Sequence, residues 1–303
     1  MSSTEVIEKS NKVHVETYGP LEELPCVVYT PESLLRTPTK LVLDLLTDLW
    51  KARELIWILL MRDLKATHRQ SFLRYAWIFI PPLTTTAVWL FLSSQNIVQV
   101  GNTPIPYPAF VLVGTMLWTT FSAALTQPLM SFNASKPVFT KLKVPPEAFI
   151  AAGMTTVMFD FLVRLVLIIP MFFILGMVPP ATALLFPVAV ICLFLLGTAL
   201  GIVLVPLGSL YQDIGRAAST LVGFLMYLAP VVYMPPRSGW SATLIRWNPV
   251  TPIIMAGRDW LTLGASEYAA AIFLVAGISV VVLLASVLIL RVVMPHLVAR
   301  MGM

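Results

Sequence analysis

From Tyr75 to Ser135 the chain carries no Asp, Glu, Lys, Arg or His. A water-soluble domain has no need of an uncharged stretch that long, and one crossing of a bilayer takes only about 20 apolar residues at 1.5 Å rise each. The run is long enough for two crossings. Ser93-Ser94-Gln95-Asn96 and Gly101-Asn102-Thr103-Pro104 break it with turn-forming residues, so the pattern predicts a membrane hairpin. Continued along the chain, the same reading predicts spans near Tyr75–Leu92, Ala109–Phe132, Phe149–Leu175, Leu184–Leu207, Ala217–Val232 and Ala269–Val293.

Between and before these spans the pattern changes character. Residues 1–38 are polar and broken by Pro20, Pro25, Pro31 and Pro38, which predicts a flexible arm. Residues 39–74 set Leu41, Leu45, Leu46, Leu49, Ile56, Leu59 and Leu60 at helical spacing against Lys51, Arg53, Arg62, Lys65 and Arg69. That pattern suits an amphipathic helix lying at the interface with its cations toward anionic headgroups, or a helix packed on a soluble partner. Met234–Tyr268 is too apolar for a plain loop. Pro235-Pro236, Asn248-Pro249 and Pro252 forbid one continuous helix, and Trp240, Trp247 and Trp260 suit headgroup depth. Short helices that dip into the outer leaflet and return would satisfy all three features, if their broken backbone is buried in protein or lines a wet cavity. A simple external loop is the alternative.

Composition agrees with a polytopic membrane protein: 58% hydrophobic, 12% charged, mean hydropathy +0.85. Six spans put both termini on one side and sort the 20 Lys and Arg sharply. Only Arg237, Arg246 and Arg258 fall on the opposite face and Arg164 falls inside a span, which places both termini in the cytoplasm by the positive-inside rule. The net charge of +5 follows this topology rather than a basic stripe interleaved with aromatics, so nucleic acid is not indicated as a partner. Cys26 and Cys192 give no disulfide framework. The first residues, with Glu5, Glu8 and Lys9, do not read as a cleavable signal peptide. The division expected is therefore arm (1–38), interfacial helix (39–74), transmembrane domain (75–294) and cytoplasmic tail (295–303).

No phosphate-binding GxxxxGK[ST], HExxH, DxD or Cys/His metal spacing occurs in the sequence. His14, His68 and His296 are far apart, so no catalytic or metal site is expected. One acid is predicted at mid-membrane. Asp160 sits about half-way along the third span with Arg164 at i+4, on the same face. An isolated charge there costs at least ~2.5–3.5 kcal/mol, so the two either neutralise each other as a structural pair or form a polar patch on a conduction path. The loop after the second span, from Asn133 to Glu147, suggests a short helix capped by Ser135 and stopped by Pro145-Pro146. Its exposed Phe139 and Leu142 would form a docking knob.

Several motifs then carry a resemblance. Met61 to Trp77 with Pro81-Pro82-Leu83 resembles the approach to the first span in ABC-2 type permeases that export polysaccharides and polyol phosphates, such as O-antigen, capsule and teichoic acid. Val138-Phe139-Thr140-Lys141-Leu142-Lys143-Val144-Pro145 is similar to that family's coupling helix, and Leu210-Tyr211-Gln212-Asp213-Ile214-Gly215-Arg216 to its cytoplasmic turn, with Gln212 where Arg is common. Leu228-Ala229-Pro230-Val231-Val232-Tyr233 resembles its end of span five, and Trp247-Asn248-Pro249 with Arg258 its outer re-entrant motif. The resemblance covers about residues 40–295. It implies an all-α fold of six transmembrane helices, an N-terminal amphipathic gate helix bearing Arg62, Lys65 and Arg69, and outer re-entrant helices between spans five and six. It also implies a homodimer in the bacterial cytoplasmic membrane that exports a lipid-linked glycan with two copies of a separate ATPase. Val138, Phe139, Thr140, Lys141, Leu142, Tyr211 and Asp213 would couple to that ATPase. ATP and Mg would belong to the partner, and this chain would hold no cofactor and catalyse nothing. An exporter of small molecules or lipids, or a membrane-embedded transferase acting on lipid-linked sugars, would share much of this pattern.

Overall fold

The computed structural model describes residues 47–70, 74–98, 101, 103–139, 146–236 and 238–301. Helices and short connections account for all of them, and the described residues contain no strand. The arm, the residues around Thr140 and the extreme C-terminus lie outside that set. The helices are α1 (Arg53–Gln70), α2 (Arg74–Ser94), α3 (Tyr107–Phe139), α4 (Pro146–Arg164), α5 (Ile168–Ile174), α6 (Phe186–Leu210), α7 (Gln212–Leu225), α8 (Trp240–Trp247), α9 (Val250–Thr262) and α10 (Ala269–Met301).

Five helical stretches are long and apolar enough to cross a bilayer: Ala76–Ser94, Tyr107–Val138, Pro146–Ile174, Ala181–Leu210 and Ala269–Met294. Their ends follow local chemistry. After α2, Asn96 takes a left-handed conformation (φ 51°), while Ile97 N–H donates to Leu92 O and Asn96 N–H to Ser93 O. This pair of bonds is the Schellman closure, and it caps carbonyls that would otherwise lie bare at the helix end. Gly176 (φ 61°) closes α5 in the same way. Within the third span a 3-10 turn, Leu165–Leu167, separates α4 from α5. Pro170 explains it, because proline has no N–H to return to the preceding turn.

The segment expected at Ala217–Val232 takes a different form. The helix α7 has 14 residues, one 3-10 turn (Met226–Leu228) follows, and the chain then runs on through turn and extended residues. Its register is nonetheless clear. Gly215 faces Leu129, about two-thirds of the way along α3, and Val232 O accepts the hydroxyl of Tyr107, its first residue.

Two further expectations are corrected. Ser135 caps no new helix. It is buried within α3 and its hydroxyl donates to Ser131 O at 2.8 Å, so the helix continues to Phe139 and Pro146 opens α4 instead of stopping a preceding helix. Trp240 and Trp247 are exposed, but Trp260 is only 4% exposed because it lies on the packed face of α9.

The core is organised around α6, which packs most extensively on α3 and α10. Close approach is possible because α6 presents Gly197 and Gly201, one turn apart, to α3. A Cβ at Gly197 would lie 2.7 Å from Ala124 Cβ, and one at Gly201 would lie 2.8 Å from Pro128 Cγ as well as against Leu125 O. Gly201→Val should therefore lower stability by ~1–3 kcal/mol through overpacking. Gly223→Val, where nothing lies within 4 Å, should change it by less than ~0.5 kcal/mol. Thermal unfolding of the two variants in the same detergent checks the contrast.

Candidate functional site

Among the described residues, Arg258 is the largest side chain fully enclosed by the protein, at 1% exposure. It stands on α9 and reaches across to the chain that follows α7. Its Nη2 donates to Pro230 O at 3.0 Å and to Val231 O at 2.9 Å. The guanidinium lies on the Phe110 ring of α3, 3.5 Å from its centroid, and Nη1 points to Met255 Sδ at 3.6 Å. Carbonyls in a non-helical stretch have no neighbour in a helical ladder, so they need an outside donor when buried. Arg258 is that donor. Asn248, just ahead of α9, adds a third link: its amide donates to Leu228 O at 3.1 Å while its Oδ1 accepts Val250 N–H at 3.0 Å. Pro249 follows as the N-cap residue of α9. The outer motif and the end of the α7 segment, read separately in the sequence, thus form one latch. Gly114 completes it, since a Cβ there would sit 2.5 Å from Arg258 Nη2 and against Val231 O.

The latch fixes how α7 is presented. Gln212, Arg216, Ser219 and Gly223 share one stripe of this helix, and all four are exposed. The hydroxyls of Ser219 and Thr220 donate to Gly215 O and Arg216 O, leaving their lone pairs free to accept from outside. A cleft of about 460 Å³ opens beside them, with Thr126 and Asn133 of α3 on its far wall. Asn133 Oδ1 is buried with no hydrogen-bond partner.

Asp160 lies 14 residues from each end of the Pro146–Ile174 stretch (160−146 and 174−160) and so at its midpoint. Arg164, one turn on, donates from Nη1 to Thr119 Oγ1 of α3 at 3.4 Å. A third polar partner, supplied by another helix, was not legible in the i+4 spacing.

The other predicted residues occupy one end of the bundle. On α1, Leu59 is buried against Phe149 and Ala152 of α4 with Leu55, Ile56 and Val138 beside it, while Trp57 and Ile58 are exposed on the other side. Arg62 pairs with Asp63 at 2.9 Å and Lys65 is exposed. Arg69 falls in the last turn of α1, but its side chain lies outside the described residues. A second cleft, about 250 Å³, separates Leu59, Arg62 and Asp63 from Gln127, Ser131 and Ser135. Phe139 ends α3, and Thr140, Lys141 and Leu142 fall outside the described residues. Tyr211 is the single non-helical residue between α6 and α7. It is exposed, and Asp213 beside it pairs loosely with Arg216 at 3.5 Å. Lys136 Nζ donates to Ser209 O at 2.7 Å, which joins the last turn of α3 to the end of α6.

A bundle of crossing helices with a polar-faced helix held by a buried arginine defines a multi-pass membrane protein. The chain belongs to the ABC-2 type transporter membrane family, whose pattern it matches over residues 54–262. It is 27% identical over 192 residues, 63% of this chain and 73% of the relative, to the O-antigen export system permease protein RfbA of Myxococcus xanthus. Against the O-antigen export system permease protein RfbA of Klebsiella pneumoniae it is 24% identical over 221 residues, 71% of this chain and 83% of the relative.

Removing the latch should be costly. Arg258→Ala strands two buried carbonyls and empties a full side-chain volume, and should destabilise the chain by ~3 kcal/mol or more. Tyr107→Phe, which loses one bond to Val232 O, should cost ~1 kcal/mol. Unfolding midpoints in detergent would show the ranking, and equal midpoints for the two variants would contradict it.

Proposed function

We propose that this chain is the permease subunit of an ABC exporter that moves a lipid-linked polysaccharide or polyol-phosphate polymer out across the cytoplasmic membrane. It works as a homodimer with two copies of a separate ATPase subunit, which supplies the ATP and Mg chemistry. Family membership and the names of the two relatives support the class of cargo. The polar stripe of α7 carries the reading.

That stripe lies at bilayer depth. Between Leu129 and Tyr107, the α3 positions that face the two ends of the α7 segment, α3 rises by about 33 Å, close to the hydrocarbon thickness. The α7 segment is thus a sixth crossing, part helix and part extended. It becomes possible because Arg258 and Asn248 supply the bonds that its broken end lacks. Exposed polar groups at that depth are poorly placed against lipid. Facing a second copy across a wet path, their free lone pairs can accept hydrogen bonds from sugar hydroxyls. The helices α8 and α9 are then the re-entrant pair, and six crossings return the C-terminus to the side of α1.

At the cytoplasmic end, α1 is the gate helix, and the cleft it makes with α3 and α4 admits the lipid-linked headgroup. Val138 to Leu142, with Tyr211 and Asp213, form the face that meets the ATPase. Asp160 and Arg164 hold each other and Thr119 as a structural polar joint between α4 and α3.

The stripe gives a direct test. Ser219→Leu together with Gly223→Leu makes its second half apolar, at two exposed positions, while leaving Gln212 and Arg216 in place. Cells that depend on this chain for their surface polymer should lose export, while the ATPase still co-purifies with the variant. Normal export would contradict the reading.

A further inference from the structure

The guanidinium of Arg291, about two-thirds of the way along α10, donates from Nε to Glu147 Oε1 at 2.6 Å and from Nη2 to Asp48 Oδ2 at 2.9 Å. The partners are 144 and 243 residues away in sequence. Glu147 is in the first turn of α4, immediately after the connection that carries the coupling residues. Asp48 is in the helical residues just ahead of α1. The side chains of Arg291 and Glu147 are 17% and 9% exposed, that of Asp48 41%. One fork therefore fastens three separate elements at the cytoplasmic end.

We infer that Arg291 is a positioning residue that makes the start of α4 and the gate helix move together, so that a displacement of the coupling connection by the ATPase is passed to the gate. The inference rests on the exporter reading above. Its physical ground is the asymmetry of a mostly buried ion cluster. Assembling one adds little net stability, but pulling one partner away strands a desolvated charge. Glu147 cannot be drawn from Arg291 cheaply, and Arg291 holds Asp48 with its other nitrogen. The apolar contact of Leu59 with Phe149 and Ala152 binds the same two helices a little further along, so the gate is held to α4 by packing at one point and by charge at another. At the opposite end of the coupling connection, Lys136 holds Ser209 O. The connection is anchored on both sides, to α6 before it and to α4, α10 and the gate after it. A lysine at position 291 would keep the charge but lose the rigid fork that meets two carboxylates from different directions.

The test uses the full chain in nanodiscs with its ATPase subunit, spin-labelled at Lys51 beside the gate and at Gln95 in the opposite turn, both exposed. Trapping with Mg-ATP and vanadate should shift the distance between the labels in the wild-type chain. In Arg291→Ala the ATPase should still bind and hydrolyse ATP, and the shift should be lost. The swap Glu147→Arg with Arg291→Glu restores the α4–α10 bridge and folded yield but leaves Asp48 facing a glutamate, so the shift should stay absent. Adding Asp48→Arg should bring it back. A wild-type shift in Arg291→Ala, or in the double swap if the alanine variant does not fold, would overturn the inference while leaving the exporter reading intact. A wild-type chain that recruits no ATPase would overturn the exporter reading, and the inference with it.

Discussion

The architecture depends on a single buried cation. Arg258 reaches from α9 to the carbonyls of Pro230 and Val231 and rests on Phe110 of α3. Without those bonds the chain after α7 would need either to continue as a helix or to leave its carbonyls bare in an apolar setting. Desolvating a guanidinium is itself expensive. The two carbonyls, the aromatic face and the Met255 sulfur together offset that cost. What the arrangement provides is a buried irregular stretch whose carbonyls are bonded without a helical ladder.

The rest of the bundle is the rigid surround that makes this possible. The contact of α3 with α6 is tight because Gly197 and Gly201 carry no side chain there, and α10 packs on the other side of α6. By contrast, α7 is bound to α3 and α6 along one narrow face, and Val222 is its only buried residue. The helix is weakly enclosed, polar on one stripe and exposed over most of its surface. The first helix shows the same economy: α1 buries Leu59 and leaves Trp57 and Ile58 exposed.

Much of this was legible in the sequence because bilayer thickness imposes a length on every crossing. The apolar runs anticipated five helical stretches with ends within about three residues, except that the α3 stretch runs past the expected Phe132 to Val138, and the break at Ser93–Asn96 is where Asn96 turns the chain. Ser135 misled because serine before a basic turn reads as a cap, whereas here its hydroxyl bonds back to Ser131 inside a continuing helix. Trp260 misled because a tryptophan in an outer segment reads as a headgroup anchor, yet its face of α9 is packed. The spacing of Asp160 and Arg164 placed them on one face, but Thr119, contributed by α3, could not be foreseen from spacing within α4. Arg258 was visible as part of the outer motif and Arg291 only as a charge that weighs on topology. Their partners lie 27 to 243 residues away, and nothing local to either arginine indicates which carbonyls or carboxylates it will meet.

The central claim is that the α7 segment crosses the membrane as an incomplete helix closed by Arg258. Single cysteines at Asp213 and Ser238, both exposed on either side of that segment, test it most directly with a membrane-impermeant thiol reagent in intact cells, with Cys26 and Cys192 replaced. The account predicts that the cysteine at 238 is labelled from outside and the one at 213 only after permeabilisation. Labelling of both from the same side would show that the segment does not cross, and would contradict the account.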